Sequence, residues 1–286
     1  NNNNNNNNNK MYQQFLKRFS DVSWENTFQV LLDPNGFDFD EKAQPFNDIA
    51  LPAIAVIAYL FLIFLVLPNV TLFQKRLKPV LAMHNIILCV ASIAMFVGTL
   101  HALYETKSFG IDRFFCEDPK AEASGSLYYW SYIYYLSKYY ELFDTCLAIL
   151  NGSRIPHFKL HVFHHACVLF MAFNWLRARQ SLQFGGLLFN TFVHIVMYYY
   201  YTLKASGVKE IWWKKWITTL QIVQFTCSAV LLCITISYIW REGMSGCAGT
   251  TEMLMNFAFN MILLNGFVGV LTTKKKKGKD DNKKTK

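Results

Sequence analysis

The chain has 286 residues, 53% of them hydrophobic and 16% aromatic, with a mean hydropathy of +0.17. Such a composition excludes an ordinary soluble enzyme and predicts one polytopic membrane domain. The formal net charge of +9 does not indicate nucleic-acid binding, because the basic residues flank apolar stretches, where topology and anionic lipid account for them.

Nine Asn and Lys10 open the chain. Such a tract cannot bury a core and is expected to be disordered. Met11 is the first methionine, a candidate start, and no cleavable signal follows it, so the first span is expected to act as an uncleaved anchor. Residues 1–48 read as an N-terminal segment, 49–272 as an all-α transmembrane domain and 273–286 as a cytosolic Lys-rich tail. Apolar stretches predict seven transmembrane helices: Ile49 to Leu67, Val80 to Leu103, Leu127 to Leu150, Leu160 to Leu176, Phe184 to Leu203, Trp216 to Trp240 and Met253 to Leu271.

Loop charges set the expected orientation. Lys75, Arg76 and Lys78 follow the first span, Arg154 and Lys159 the third, and Lys204, Lys209, Lys214 and Lys215 the fifth; eight further Lys follow the seventh. These loops and the C-terminus are therefore expected in the cytosol and the N-terminus in the lumen, an asymmetry that rests mostly on the tail. The final Lys283-Lys284-Thr285-Lys286 resembles a dilysine signal that retains membrane proteins in the endoplasmic reticulum. Of seven Cys, five fall inside spans, where a small buried hydrophobe is the default. Cys116 and Cys247 fall in two loops assigned to the oxidising lumen, and a disulfide between them is expected. On the chain-entropy model, closing so long a loop is worth roughly 4 kcal/mol.

Polar residues inside the spans carry the chemistry. Lys138, Glu141, Asp144 and Thr145 share one side of span three. Facing lipid, its three charges would cost roughly 8 to 10 kcal/mol on insertion scales, so they must face protein or a cavity. They read either as a structural Lys138–Glu141 ion pair with Asp144 bonded to a neighbouring helix, or as carboxylates that orient imidazoles. In span four, offsets of three and four put His161, His164 and His165 on one helical face, a candidate reaction or metal site within the bilayer. Span five carries Asn190, His194, Met197, Tyr198 and Tyr201 along one stripe, and span six repeats polar groups three apart at Thr218, Gln221 and Gln224. His84 and His101 stand isolated in span two and read as hydrogen-bonded structural groups, while His157 is expected in solvent. Cys167 follows His164 by three, but nothing in its apolar setting favours a thiolate.

Four patterns occur in order: KxxExxDT at Lys138 to Thr145, HxxHH at His161 to His165, NxxxHxxMYxYY at Asn190 to Tyr201 and TxxQxxQF at Thr218 to Phe225. In these the chain resembles the ELO family of very-long-chain fatty acid elongases. The resemblance implies six helices in a barrel around an acyl tunnel, a seventh outside, and residence in the endoplasmic reticulum membrane. It also implies an acyltransferase, a 3-oxoacyl-CoA synthase that condenses a long-chain acyl-CoA with malonyl-CoA, releasing carbon dioxide and CoA. No cofactor and no metal are implied. A homodimer, and other enzymes of the elongation cycle as partners, are.

By motif position His164 is the acyl acceptor, with His161 and His165 to position it or move protons. Asn190 and His194 are candidate donors to the enolate and oxyanion, and Lys138, Glu141 and Asp144 complete the catalytic set. Tyr198, Tyr201, Gln221, Gln224 and Thr145 are assigned to substrate binding. The segment Ile155 to Leu160 lacks the Gln-containing stretch common in elongases of polyunsaturated chains, so saturation preference stays open. Two rivals compete: a membrane di-iron desaturase or hydroxylase, which draws on about eight His where this chain has seven, and a non-enzymatic seven-span receptor or transporter.

Overall fold

The computed structural model describes residues 31–43, 46–70, 76–106, 110–155 and 157–284. The Asn tract and Met11 lie outside them. Within the described residues the regular structure is helical, with one isolated bridge between Asp38 and Ser124. The helices are α1 (Phe39–Lys42), α2 (Ala50–Phe61), α3 (Lys78–Glu105), α4 (Ile111–Phe115), α5 (Gly125–Leu150), α6 (Phe158–Arg177), α7 (Gln183–Ala205), α8 (Lys214–Glu242) and α9 (Thr250–Lys284). Three are long and apolar enough to cross a membrane by length and composition: Ala50–Asn69, Lys78–Glu105 and Lys214–Glu242. The other long helices hold most of the polar residues discussed above.

Local chemistry sets the helix ends. Pro68 has no N–H to donate, so α2 loosens into a π turn at Leu62–Val66 and closes with a 3-10 turn at Leu67–Asn69. There the Asn69 side chain donates to the Leu65 carbonyl at 2.9 Å. Pro79 sits in the first turn of α3, where a missing N–H costs nothing. At the end of α5, Gly152 takes φ 65° and the chain turns back, with Ser153 N–H bonded to the Ala148 carbonyl at 2.9 Å. No helix break marks residue 272; α9 continues to Lys284, so the expected tail extends the last helix.

Side-chain patterning on α3 reverses that of a soluble helix. Val80, Met83, Ile87, Val90, Val97 and Leu100 are exposed, whereas His84, Leu88, Ser92, Met95 and Thr99 are buried. An apolar outer face with polar groups within suits lipid as the surrounding solvent. Ser92 and Thr99 return their hydroxyls to the Leu88 and Met95 carbonyls, both at 2.7 Å, so neither is left unpaired. Trp216 and Trp240 are exposed near opposite ends of α8. Their separation along the axis, roughly 36 Å at 1.5 Å per residue, matches a hydrocarbon core of about 30 Å with aromatic belts at its borders.

Helix α3 packs along α7 and against α5; α5 packs on α6, α6 on α9, α9 on α8, and α8 on α7, while α2 packs on α5 and α6. The N-terminal segment also supplies core: Phe37 and Phe39 are buried, with Phe37 stacked on Tyr132 and Phe39 edge-on to Phe173.

Loops before α5, α7 and α9 join at one end of the bundle. Cys116 and Cys247 form a disulfide with Cα atoms 4.8 Å apart. Beside it, the buried Glu117 accepts from Arg113 Nε at 2.6 Å and Tyr128 OH at 3.3 Å, and its carbonyl accepts from Ala248 N at 2.7 Å. Ser181 Oγ accepts from Glu117 N at 3.0 Å and donates to the Ala248 carbonyl at 3.0 Å. Non-reducing peptide mapping is expected to return Cys116 and Cys247 as one linked pair; two free thiols would remove this tie.

Candidate active site

Six long helices and α2 build the site. In α5, residues 138, 141 and 145 fall on the buried side, as offsets of three and four require. Lys138 and Glu141 are each 1% exposed and meet at 2.6 Å. Burial of an ion pair is tolerable only when further hydrogen bonds serve both partners. Lys138 Nζ also donates to Asn190 Oδ1 at 3.3 Å and lies over the Tyr134 ring at 4.0 Å. Glu141 Oε1 also accepts from Ser137 Oγ at 3.3 Å and stands 3.5 Å from His194 Nδ1. Tyr134 OH donates to Asn190 Oδ1 at 2.9 Å. With two donors on its oxygen, the Asn190 amide has its nitrogen left to offer a substrate.

Asp144 and Thr145 form a second centre. Asp144 binds His84 Nε2 through Oδ1 at 2.7 Å and accepts from Tyr198 OH through Oδ2 at 2.8 Å. His165 Nε2 lies 3.9 Å from Oδ2, an electrostatic contact rather than a hydrogen bond. Thr145 Oγ1 lies between His161 Nε2 at 3.0 Å and Tyr59 OH at 2.8 Å. Lys138 and Glu141 thus form the ion pair, and Asp144 bonds to neighbouring helices, as one of the two expectations had it, while His165 stays within electrostatic reach of Asp144. Asp144 is bonded to His84 and Tyr198, because α3 and α7 bring their donors closer than α6 does.

The box keeps its three rings together: His161 and His165 have centroids 4.4 Å apart, and His164 and His165 5.3 Å. His164 stacks on Phe259 of α9 at 6.2 Å, and its Nδ1 is buried with no partner among the described residues. The His164 ring lines a small cavity. Its walls include Val168, Met171 and Trp175 on α6, Asn190 on α7, Gln224 and Ser228 on α8, and Asn256 and Asn260 on α9. Gln180, Leu182 and Met253 line it near the disulfide-linked loops. Its free volume is about 60 Å³, room for a few waters.

Leu182 takes φ 67°, a conformation bulky L-residues avoid. Bonds on both sides hold it there: its N–H donates to the Phe114 carbonyl of α4 at 3.3 Å, and its own carbonyl accepts from Gly186 N in the first turn of α7 at 3.0 Å. Gly186 packs tightly on Trp175, where a Cβ would meet the ring at 3.1 Å and push it by a few tenths of an ångström.

Of the residues assigned to substrate binding, Gln224 lines the cavity. Tyr198 and Thr145 are fully buried and spend their hydroxyls on Asp144 and on His161 and Tyr59. Tyr201 is 43% exposed, and Gln221 is half-buried outside the cavity lining. His101 is exposed beside Glu105, and His157 is exposed. His84 is buried and hydrogen-bonded, as expected, and its partner is a motif carboxylate. Tyr59, Tyr134, Asn256 and Asn260 escaped sequence reasoning. Tyr134 had a signal, one turn before Lys138 on the same face, as did the two Asn one turn apart in the last span.

Among the described residues, no group of three or more His, Cys, Asp or Glu is placed to hold a metal ion. The family model ELO, described as the GNS1/SUR4 family, matches residues 44–281. The chain belongs to the ELO family. A Dictyostelium discoideum relative is 33% identical over 265 residues, 89% of this chain and 86% of its own. Fatty acid elongase A of the same organism is 35% identical over 66% of this chain and 68% of its own. Very long chain fatty acid elongase 5 of Rattus norvegicus is 31% identical over 73% and 71%. This ELO protein is therefore an enzyme of fatty acid elongation and a multi-pass membrane protein.

Proposed function

We propose that the chain is a 3-oxoacyl-CoA synthase that condenses a long-chain acyl-CoA with malonyl-CoA in the endoplasmic reticulum membrane. The observation that carries this reading is the cavity, where His164, Asn190 and Gln224 from three separate motif segments line one space together with apolar side chains. Helices α3, α5, α6, α9, α8 and α7 follow one another in a closed circuit of contacts, with α2 packed against α5 and α6. That circuit supports a six-helix barrel with the first span outside.

The chemistry proceeds in two steps. A neutral His164 nitrogen attacks the acyl thioester, the carbon–sulfur bond breaks, and CoA leaves with a proton as the free thiol. Malonyl-CoA then loses carbon dioxide; the electron pair of the broken carbon–carbon bond forms an enolate that attacks the acyl-imidazole. The carbon–nitrogen bond breaks, the departing imidazole nitrogen takes up one proton from water, His164 is regenerated and the product is two carbons longer. Splitting the reaction in this way avoids a three-body encounter.

Asn190, with its oxygen held by Tyr134 and Lys138, has an amide nitrogen to stabilise developing negative charge on an oxygen. His194, beside Glu141, is the second such group. Lys159, Lys204, Lys209, Lys214 and Lys215 are exposed, and a cytosolic C-terminus would place them where the CoA phosphates arrive. Since the free cavity is small, a bound acyl chain must displace side chains along α8 and α9, where Ser228 and Asn260 touch at 3.1 Å. The reading includes no metal or cofactor, a homodimer, and the other elongation-cycle enzymes as partners.

Purified protein given acyl-CoA and radiolabelled malonyl-CoA is expected to yield a labelled 3-oxoacyl-CoA after exhaustive dialysis against chelator. Binding of both thioesters without product at any acyl length tested would overturn the assignment. A desaturated or hydroxylated acyl product, unlabelled and formed only with added iron and oxygen, would favour a desaturase or hydroxylase.

A further inference from the structure

His84 lies outside all four motif segments, yet it makes one of the shortest contacts in the site. Its Nε2 is 2.7 Å from Asp144 Oδ1, and the ring is 4% exposed. From the opposite helix, Tyr198 OH holds Asp144 Oδ2 at 2.8 Å. The carboxylate is therefore clamped at both oxygens, by α3 on one side and α7 on the other, and cannot swing toward α6. His165 Nε2 stays 3.9 Å away, close enough to feel the charge and too far for a direct bond.

We infer that His84 is a positioning residue for the condensation: it fixes the Asp144 carboxylate at a set distance from His165, whose ring abuts His164. This rests on the function proposed above. If Oδ1 lost its donor, the carboxylate could turn and bond His165 directly. That bond would pin His165 and alter its contact with His164, where the present arrangement leaves the ring in contact without capture. A carboxylate whose charge acts on a nearby imidazole is kept in place by its own hydrogen bonds, and the His84 N–H supplies one of the two on Asp144. The outer side of His84 meets an apolar groove that includes Met83, Ile87, Tyr140 and Phe143. Its ring packs on Tyr140 at 4.7 Å. A phenyl ring would fit this setting, so the hydrogen bond can be removed without opening a cavity.

Kinetics of His84→Phe and His84→Gln test the inference against wild type. The amide nitrogen of Gln reaches nearly the same place as His Nε2. His84→Phe is expected to lower kcat about 10- to 100-fold, by analogy with outer-shell partners elsewhere, while KM for both thioesters stays near wild type. His84→Gln should recover most of the rate. A structural tie alone would lower thermal stability and the yield of folded protein, leaving kcat per folded molecule unchanged. Should His84→Phe lose its sharp elution peak in detergent, His84→Asn, too short to reach Asp144, is read by the same criteria. Unchanged kcat in the variant lacking the bond, or no rescue by Gln, overturns the inference while leaving the elongase reading intact. Absence of product from wild type overturns the reading itself.

Discussion

Replacing His164 by Ala is expected to reduce condensation on the order of 10³-fold or more, as removal of a covalent nucleophile does, and to abolish any acylated species in intact-mass spectra. The substitution removes an imidazole that is stacked on Phe259 and lines the cavity, but it breaks no hydrogen bond at the buried Nδ1. Folding should therefore survive, and thermal unfolding in detergent should stay close to wild type. His161→Ala makes a useful contrast, because it takes a partner from Thr145 and should disturb the Tyr59–Thr145 contact as well. Retention of normal turnover by His164→Ala, or of an acylated enzyme without it, would refute the covalent route.

The second large effect is expected at the buried pair. Lys138→Met leaves Glu141 charged, with Ser137 and His194 as its remaining partners at 3.3 and 3.5 Å. Stranding one member of a buried pair costs about 3 to 5 kcal/mol, which should appear as a clear drop in unfolding midpoint in detergent. Activity should fall with it, because the Asn190 oxygen loses one of its two donors. In Lys138→Met combined with Glu141→Gln the stranded charge is gone, and stability should largely return. Activity should not, since neither the ordering of Asn190 nor the charge beside His194 is restored. If the double variant regained both, the pair would be a packing device with no part in catalysis.

Periodicity made much of this molecule readable. The offsets from His161 to His165 placed three rings on one face, and those from Lys138 to Thr145 did the same for the KxxExxDT residues on α5, because helical geometry is local. Apolar runs located the long helices for the same reason, with ends within a few residues except where α2 loosens before Pro68 and where α9 runs on to Lys284. Phe37 and Phe39 show the limit: nothing in their flanking residues announces that they fill a gap between α5 and α6. Their burial depends on shape brought together from distant parts of the chain.

His84 shows the same limit within the site. Alone in an apolar span, it carries no spacing signal, and its partner is 60 residues away. Sequence by itself determined a helical membrane protein, its family, and which side chains of each helix share a face. Tertiary structure decided which imidazole, carboxylate and hydroxyl bond to one another, so that Asp144 takes His84 and Tyr198 while His165 stands off. The physical reason is range: helical periodicity is set within a few residues, whereas a hydrogen bond between helices is won or lost over tenths of an ångström, fixed by the packing of the whole bundle.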